Sequence, residues 1–548
     1  MAGHSGLPAS SIDRLRVRDV LARPERAGVV VELVPWRGAF DDAAGERARR
    51  LAHDLDGDPR ISALSITDNA GGHAMLSPEV LAGELAAGGQ QTIVHVACRD
   101  RNRNELLSLG WRLASAGIEN LLVISGDYPT EGYLGIAKPV FDIDSVGLLH
   151  LYRGLNEGDV GGVVSRPIVR DRMADVPSLV PARGAARTPA RTDFHLGVAI
   201  NPFKVVERDQ VPQYLKLELK ARTGARYAVT QVGFDVRKLD ELVRYVADRA
   251  LPLALLANVF VLSRGAARIF AAGEVPGVTM PPRLLELAER EGAASDKGKA
   301  FFLDLAACQV AIARGLGYRG IYLGGASKAE DVGRVLELAD AYTADWRSLV
   351  AGATFPVPRT WYAYRRNPST GLNTAEPTPR TRRGDGFLGG APLAYRANRL
   401  VHRLAFDPAS RGAKIAGRFY GAAERTGLGH PLHVLEQAIK VPLFDCRDCG
   451  DCSLPDIAYL CPEGQCVKGQ RNGPCGGSHA GECEIPGKRC IWARAYGRLA
   501  PYGENDGVLE RPPVICDNAL RRTSAWANTF LGRDHNTRGP VGPAASKG

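Results

Sequence analysis

TIVHVACRDRNRNELLSLGWRLASAGIENLLVISGD (92–127) spells out one complete structural repeat. An apolar run at 92–98 leads into a stretch with helical spacing, Leu106–Ala116, and a second apolar run follows at 120–127. Neither run alternates polar with apolar residues. That pattern suits a parallel strand covered on both faces, so the segment reads as a βαβ unit. Moving outward, further runs of the same kind lie at 29–35, 63–69, 195–201, 227–234, 252–260 and 320–326, with helical patterns such as Val211–Ala221 and Leu239–Ala250 between them. Eight strand–helix repeats point to an α/β fold, a closed (β/α)8 TIM barrel, over 25–352. No G-x-G-x-x-G follows a strand, which argues against a Rossmann dinucleotide site. The gaps 128–194 and 261–319 read as insertions above the barrel, and Ser178–Arg191 as a loop within the first.

Behind the barrel, Pro, Gly, Thr and Arg crowd the stretch 365–392, so 353–392 reads as a linker. Helical stretches follow at Tyr395–Ala405 and His433–Val441, in a helical and cysteine-rich domain over 393–510. Residues 1–24 read as an N-terminal extension and 511–548 as a tail.

The chain has 548 residues, 45% of them hydrophobic, and a net charge of +10. The excess cations are scattered, as in Arg380-Thr381-Arg382-Arg383, and form no continuous stripe, so nucleic acid is not an expected partner. An anionic substrate or cofactor accounts for the mild excess. The apolar run LPLALLANVFVL (251–262) is too short to span a bilayer and reads as a buried strand.

Eight of the eleven cysteines fall between Cys446 and Cys490. Cys446-x2-Cys449-x2-Cys452 has the spacing that lets one loop wrap a cubane face, and Cys461-Pro462 offers a fourth thiolate. Cys466, Cys475, Cys483 and Cys490 make a second set. This is a metal site in expectation: one or two [4Fe–4S] clusters, or structural zinc. A disulfide framework is the third option; the opening residues MAGHSGLPASSIDRLR lack an apolar signal region, so a reducing, cytoplasmic setting is expected. Unpaired Cys98 and Cys308 fit the same setting.

In a barrel, chemistry gathers at the C-terminal strand ends. Polar residues interrupt the apolar runs there: Glu32, Thr67, His95, Asp127, Thr230 and Gln231. A sheltered carboxylate among them would hold its proton more tightly, as a general acid requires.

The segment 92–129, together with VELVP (31–35) and GARYAVTQVGFD (224–235), resembles the methylenetetrahydrofolate reductase family. The cysteine region, with NGPCGG (472–477) and CIW (490–492), resembles the separate partner subunit of acetogen-type reductases, here fused behind the barrel. The resemblance implies a flavoprotein of one-carbon metabolism, serving methionine biosynthesis or one-carbon catabolism. In it Glu32 protonates N10 of 5,10-methylenetetrahydrofolate, flavin N5 delivers hydride to the resulting iminium carbon, and 5-methyltetrahydrofolate leaves. It further implies Asp127 beside flavin and pterin, Gln231 on the pterin, and Thr67, His95 and Lys220 on the flavin. Ser125, Asn201-Pro202-Phe203-Lys204 and Arg264 depart from the family on the cofactor's adenosine side, which leaves FMN beside FAD. Electrons would come from ferredoxin through the cysteine module, or from NAD(P)H, and a homo-oligomer is expected. Two other readings stand against this one, a zinc-dependent methyltransferase and a non-catalytic docking subunit of a redox complex.

Overall fold

The computed structural model describes residues 15–23, 27–39, 42–159 and 190–536. Strands β1 (Gly28–Leu33), β2 (Ile61–Ile66), β3 (Thr92–Ala97), β4 (Asn120–Ile124), β5 (His195–Ile200), β6 (Tyr227–Thr230), β7 (Ala254–Phe260) and β8 (Gly320–Gly324) form one closed parallel barrel in chain order. β1 pairs with β8 to shut it, Val29 opposite Ile321. The crossover helices are α1 (Ala43–Asp56), α2 (Pro78–Ala87), α3 (Arg103–Ser115), α4 (Ser145–Glu157), α5 (Glu207–Thr223), α6 (Val236–Asp248), α7 (Lys299–Leu316) and α8 (Ala329–Tyr342). Each helix start has a local cause where a cap is made. Asn102 accepts from the Glu105 amide ahead of α3, and Asp144 from the Val146 and Gly147 amides ahead of α4.

The interior is packed. Val30, Ala63, Ile93, Leu122, Tyr227, Leu256 and Tyr322 meet along the axis, and Leu21 of the short helix Val17–Ala22 closes the N-terminal end against them. Tyr227 fits because β5 offers a glycine opposite: a Cβ on Gly197 would lie 2.0 Å from the Tyr227 ring. A larger apolar layer, including Val31, Val94, Val123, Leu148, Leu217 and Val310, fills the space between strands and helices.

Two expectations are corrected. The supposed insertions hold the barrel's own crossover helices, α4 in the first and α7 in the second, behind long approach loops. Of Ser178–Arg191, all but the last two residues lie outside the described residues, as does most of the opening stretch 1–16. The 353–392 stretch is no free linker. It carries a hairpin, β9 (Tyr364–Arg366) and β10 (Asn373–Pro377), strapped to α6. Asn373 bonds Asp240, the Ala363 amide donates to Glu241 at 2.6 Å, and Tyr362 donates to Asp235 at 2.6 Å. Polar composition concealed those specific partners.

The C-terminal part contains α9 (Leu393–Val401), α10 (Arg411–Arg425), α11 (Gly429–Phe444), α12 (Ile491–Leu499) and α13 (Ala525–Phe530). α12 packs on α5 of the barrel: Trp492, Tyr496 and Leu499 share one apolar core with Val211, Leu215 and Leu219. Of the expected tail 511–548, residues 511–536 are packed, and the rest lie outside the described residues. The Val514 amide donates to Asn472 at 2.7 Å, and His535 sits between Asp451 and Asp456. Among the described residues no helix is long and apolar enough to cross a membrane.

Candidate functional site

Inside the barrel, four polar side chains from four strands meet. Glu32 on β1 stands beside Ser65 on β2 in the ladder, and Tyr322 on β8 donates its hydroxyl to Glu32 Oε1 at 3.0 Å. The same hydroxyl lies 3.3 Å from His95 Nε2 on β3, and Ser65 Oγ lies 3.0 Å from that nitrogen. A tyrosine has one proton to donate. While Tyr322 gives it to Glu32, it can only accept from His95, which places the imidazole proton on Nε2. Burial raises the Glu32 pKa above the ordinary carboxylate value, and the Tyr322 bond offsets part of that. Burial also pushes His95 down to about 4, so the ring is neutral across the physiological range. Gly324 ends β8 without a side chain for a concrete reason: a Cβ there would lie 2.8 Å from Glu32 Oε2.

The rim above is made by the loops after β2 and β4. Thr67 is buried and its Oγ1 has no hydrogen-bond partner among the described residues. Asp127 accepts from the Gly71 amide at 3.2 Å through Oδ2, and its own carbonyl accepts from Arg99 at 3.2 Å. Gly72, at φ +80°, lets the two loops touch, since a Cβ would lie 2.7 Å from the Tyr128 carbonyl oxygen. Beside this rim a groove of about 690 Å³ opens, lined by Arg37, Met75, Ser77, Glu131 and Tyr133 among others. Its size is that of a small-molecule site.

On the far side the sequence-derived residues are differently occupied. Lys220 is buried in the barrel wall, donates to the Ala199 carbonyl at 2.7 Å, and is held well below the usual lysine pKa by burial. Gln231 points at the loop before α7's approach: its Nε2 lies 3.4 Å from the Pro276 carbonyl, while Oε1 accepts from the Val232 amide. Thus the described geometry gathers Glu32 and His95 in one network and Thr67 and Asp127 on the adjoining rim; Lys220 is tied to β5 and Gln231 to the Pro276 loop.

The cysteine module sits on this mouth, held by three buried lysines. Lys216 donates to the Gly473 and Pro474 carbonyls at 3.2 and 3.0 Å, and Lys204 to the Gly476 and Ser478 carbonyls. Lys468 reaches the other way, donating to the Gly126 carbonyl at 2.8 Å beside Asp127 and pairing with Glu484 at 2.6 Å. Burial lowers Lys216 and Lys204. For Lys468 burial is outweighed by Cys475, Glu484 and Asp127, and its pKa rises. Asp144 completes the joint, accepting from the Arg471 and Asn472 amides with the carboxylate that also caps α4. Of these anchors only Lys204 is noted from sequence, as a departure on the cofactor's adenosine side and not as an anchor. A lysine in an amphipathic helix reads as solvated until its partner loop is known.

The thiols fall into two groups. Cys446, Cys449, Cys452 and Cys461 line one small cavity of about 10 Å³, room for about one water, with Lys440 and Arg471 on its wall. Lys440 Nζ lies 3.6 Å from Cys452 Sγ. Cys516, absent from the expected ligand set, stands against Cys449 as a hydrogen-bond donor, and that contact with nearby Arg471 lowers the Cys449 pKa. Cys466, Cys475, Cys483 and Cys490 interact with one another beside Lys204 and Lys468. Burial pushes Cys466 up to about 11 and Cys461 up to about 12, so these thiols keep their protons unless a cation joins them. Among the described residues no group of three or more His, Cys, Asp or Glu side chains already stands in an ion-holding arrangement. All-sulfur donors with cationic walls fit a thiophilic group that draws them together. Cys98 is buried after β3 and Cys308 lies on α7, apart from both groups.

Residues 426–516 match the family described as methylene-tetrahydrofolate reductase C terminal. The match covers the thiol-bearing part of the chain and not the barrel. The matched segment contains both thiol groups, α11 and the loop that docks on the barrel. No curated protein matches the chain. Among solved structures, an uncharacterized protein from Clostridium thermocellum that binds two copies of 5-methyl-5,6,7,8-tetrahydrofolic acid is similar at 13% identity and TM-score 0.40, over 60% of this chain and 99% of its own. Dihydropteroate synthase from Yersinia pestis is similar at 12% identity and TM-score 0.30, over 58% and 94%. The barrel assignment rests on the closed strand ladder and not on these likenesses.

Proposed function

We propose that the chain reduces 5,10-methylenetetrahydrofolate to 5-methyltetrahydrofolate at the barrel mouth, with the cysteine module as its electron-entry unit. The observation that carries this reading is the placement of the family-matched module: its second thiol group and Lys468 stand on the same rim as Asp127, one loop above the Glu32 network. Glu32 holds a proton in a low-dielectric interior and gives it to N10 of the substrate, so the C–N10 bond breaks and a methylene iminium forms on N5. Asp127 supplies negative charge facing that cation. Tyr322 and His95 orient Glu32 through their shared hydrogen bonds, and solvent restores its proton after each turnover.

A reduced flavin, FAD or FMN, would supply the hydride. A residue to receive it is present: the Thr67 hydroxyl, unpartnered among the described residues, lies buried at the rim beside a groove of ligand size. Gln231 would turn from the Pro276 loop to the pterin on binding. The thiolates would hold [4Fe–4S] or zinc, with Lys440 and Lys468 balancing their charge. Ferredoxin or NAD(P)H would be the reductant.

The test is turnover of Glu32→Gln. Loss of an acid from the transition state costs about 10²–10⁴-fold in rate, so the variant should fall by at least a hundredfold while its circular dichroism is unchanged. A variant with normal 5-methyltetrahydrofolate production would remove Glu32 from the chemistry.

A further inference from the structure

α11 is built inside out. It buries its charged pair, Glu436 and Lys440, whose ends meet at 2.9 Å, and turns Val434, Leu435, Ile439, Val441 and Leu443 to the surface. Glu436 has reason to face inward, since it also accepts from Ser524 at 2.6 Å, and Lys440 faces the first thiol group. The outward residues have no such partner. α9, α10 and the helical turn His402–Phe406 between them continue the surface with Leu400, Leu404, Ile415 and Phe419, each more than half exposed. Half of all exposed large hydrophobics among the described residues fall within 393–443. A monomeric protein does not ordinarily leave such a patch in water.

Charge decides what covers it. Arg396, Arg403, Arg411, Lys414 and Arg418 are exposed on the same elements and make no ion pair among the described residues. The acidic residues between 393 and 444 are spoken for: Glu424 pairs with Arg533, Glu436 with Lys440, and Asp407 accepts from the Ala409 amide. The unpaired charge is therefore predominantly positive, Asp407 being the one carboxylate of this stretch without a cation partner among the described residues. A second copy seated on this face would set those cations against their own images, which disfavours a symmetric dimer here. A partner with an apolar spot ringed by carboxylates complements it. The face also adjoins the first thiol group, because Gln437, Lys440 and Phe444 of α11 wall its cavity.

From this we infer that α9–α11 form the docking surface for a small acidic electron-carrier protein that exchanges electrons with the Cys446–Cys461 site. The inference rests on the electron-entry reading above, and it commits the partner's place and charge.

Full-length, metal-loaded chain and a small acidic ferredoxin are the probe pair, with cationic cytochrome c as the control. Binding is read by interferometry, in the absence of folate, and the oligomeric state by light scattering. The expected result is ferredoxin binding that weakens about tenfold between about 0.05 and about 0.3 M salt, with no binding of cytochrome c. Leu435→Glu and Arg418→Glu should each weaken it about tenfold, at unchanged metal content. Arg418 is exposed and unpaired, so its variant reports even where Leu435→Glu fails to fold. Equal affinity in the Arg418 variant overturns the inference. So does a dimer that Leu435→Glu splits, which would make a second copy the occupant. Docking through this face in a chain that yields no 5-methyltetrahydrofolate would refute the reductase reading alone; turnover with ferredoxin that ignores both variants would refute the docking surface alone.

Discussion

Glu32 sits where a carboxylate is least comfortable, and two opposite consequences follow from one cause. Burial raises its folded pKa above the unfolded value, so the folded state binds more protons and the stability Glu32 allows falls as pH rises through the folded pKa. Replacing it with glutamine removes that loss. Glu32→Gln should therefore melt at a higher temperature than wild type on the alkaline side while losing turnover, the usual trade at an active residue. Equal melting of both proteins at high pH would mean that the carboxyl is well solvated. His95 runs the other way. Its folded pKa of about 4 lies below the unfolded 6.5, so the unfolded state binds the extra proton, and stability drops as pH falls from 6.5 toward 4. The full shift corresponds to about 3 kcal/mol. His95→Gln should flatten part of this acid slope in a pH series of melting curves; His195, also pushed to about 4, accounts for a like share.

At the level of elements, every one of the eight strands was legible, because a doubly covered parallel strand must be apolar on both faces and nothing else in the chain mimics it. The helices behind long loops were less so: α4 and α7 were read as insertions, and α10 was not seen. The polar network was partly legible. Glu32 and His95 interrupt apolar runs, yet Tyr322 and Ser65 look like ordinary strand residues until closure of the barrel brings β8 beside β1. The docking lysines depend on pairings more than 200 residues apart in sequence, and Cys516 meets Cys449 from outside the cysteine-rich stretch, which no local pattern encodes. Two substitutions test the element packing. Gly197→Val would drive a side chain into the Tyr227 ring, and overpacking of this kind costs about 1–3 kcal/mol; a lowered melting temperature is expected. Asp144→Ala removes both the α4 cap and the anchor of the Arg471–Asn472 loop. A cost of about 1–3 kcal/mol is expected, together with faster proteolysis in the 470–478 loop, and an unchanged cleavage rate there would separate the module from Asp144.

Across the whole molecule, one apolar core joins α5 of the barrel to α12 of the module, and buried lysines pin thiol-bearing loops over the mouth. Such an interface is that of a fixed cap and not of a tethered domain. The same fusion explains the division of charge: cations inside the joint meet carbonyls and thiols, while those on α9–α11 are left facing outward. The most direct test of the whole account is product formation. Purified anaerobically, with iron, zinc and flavin counted per chain, the protein is given 5,10-methylenetetrahydrofolate and either reduced ferredoxin or NAD(P)H. The account predicts 5-methyltetrahydrofolate from wild type and at least a hundredfold less from Glu32→Gln. Folded, flavin- and metal-loaded protein that forms no 5-methyltetrahydrofolate with either donor would contradict it.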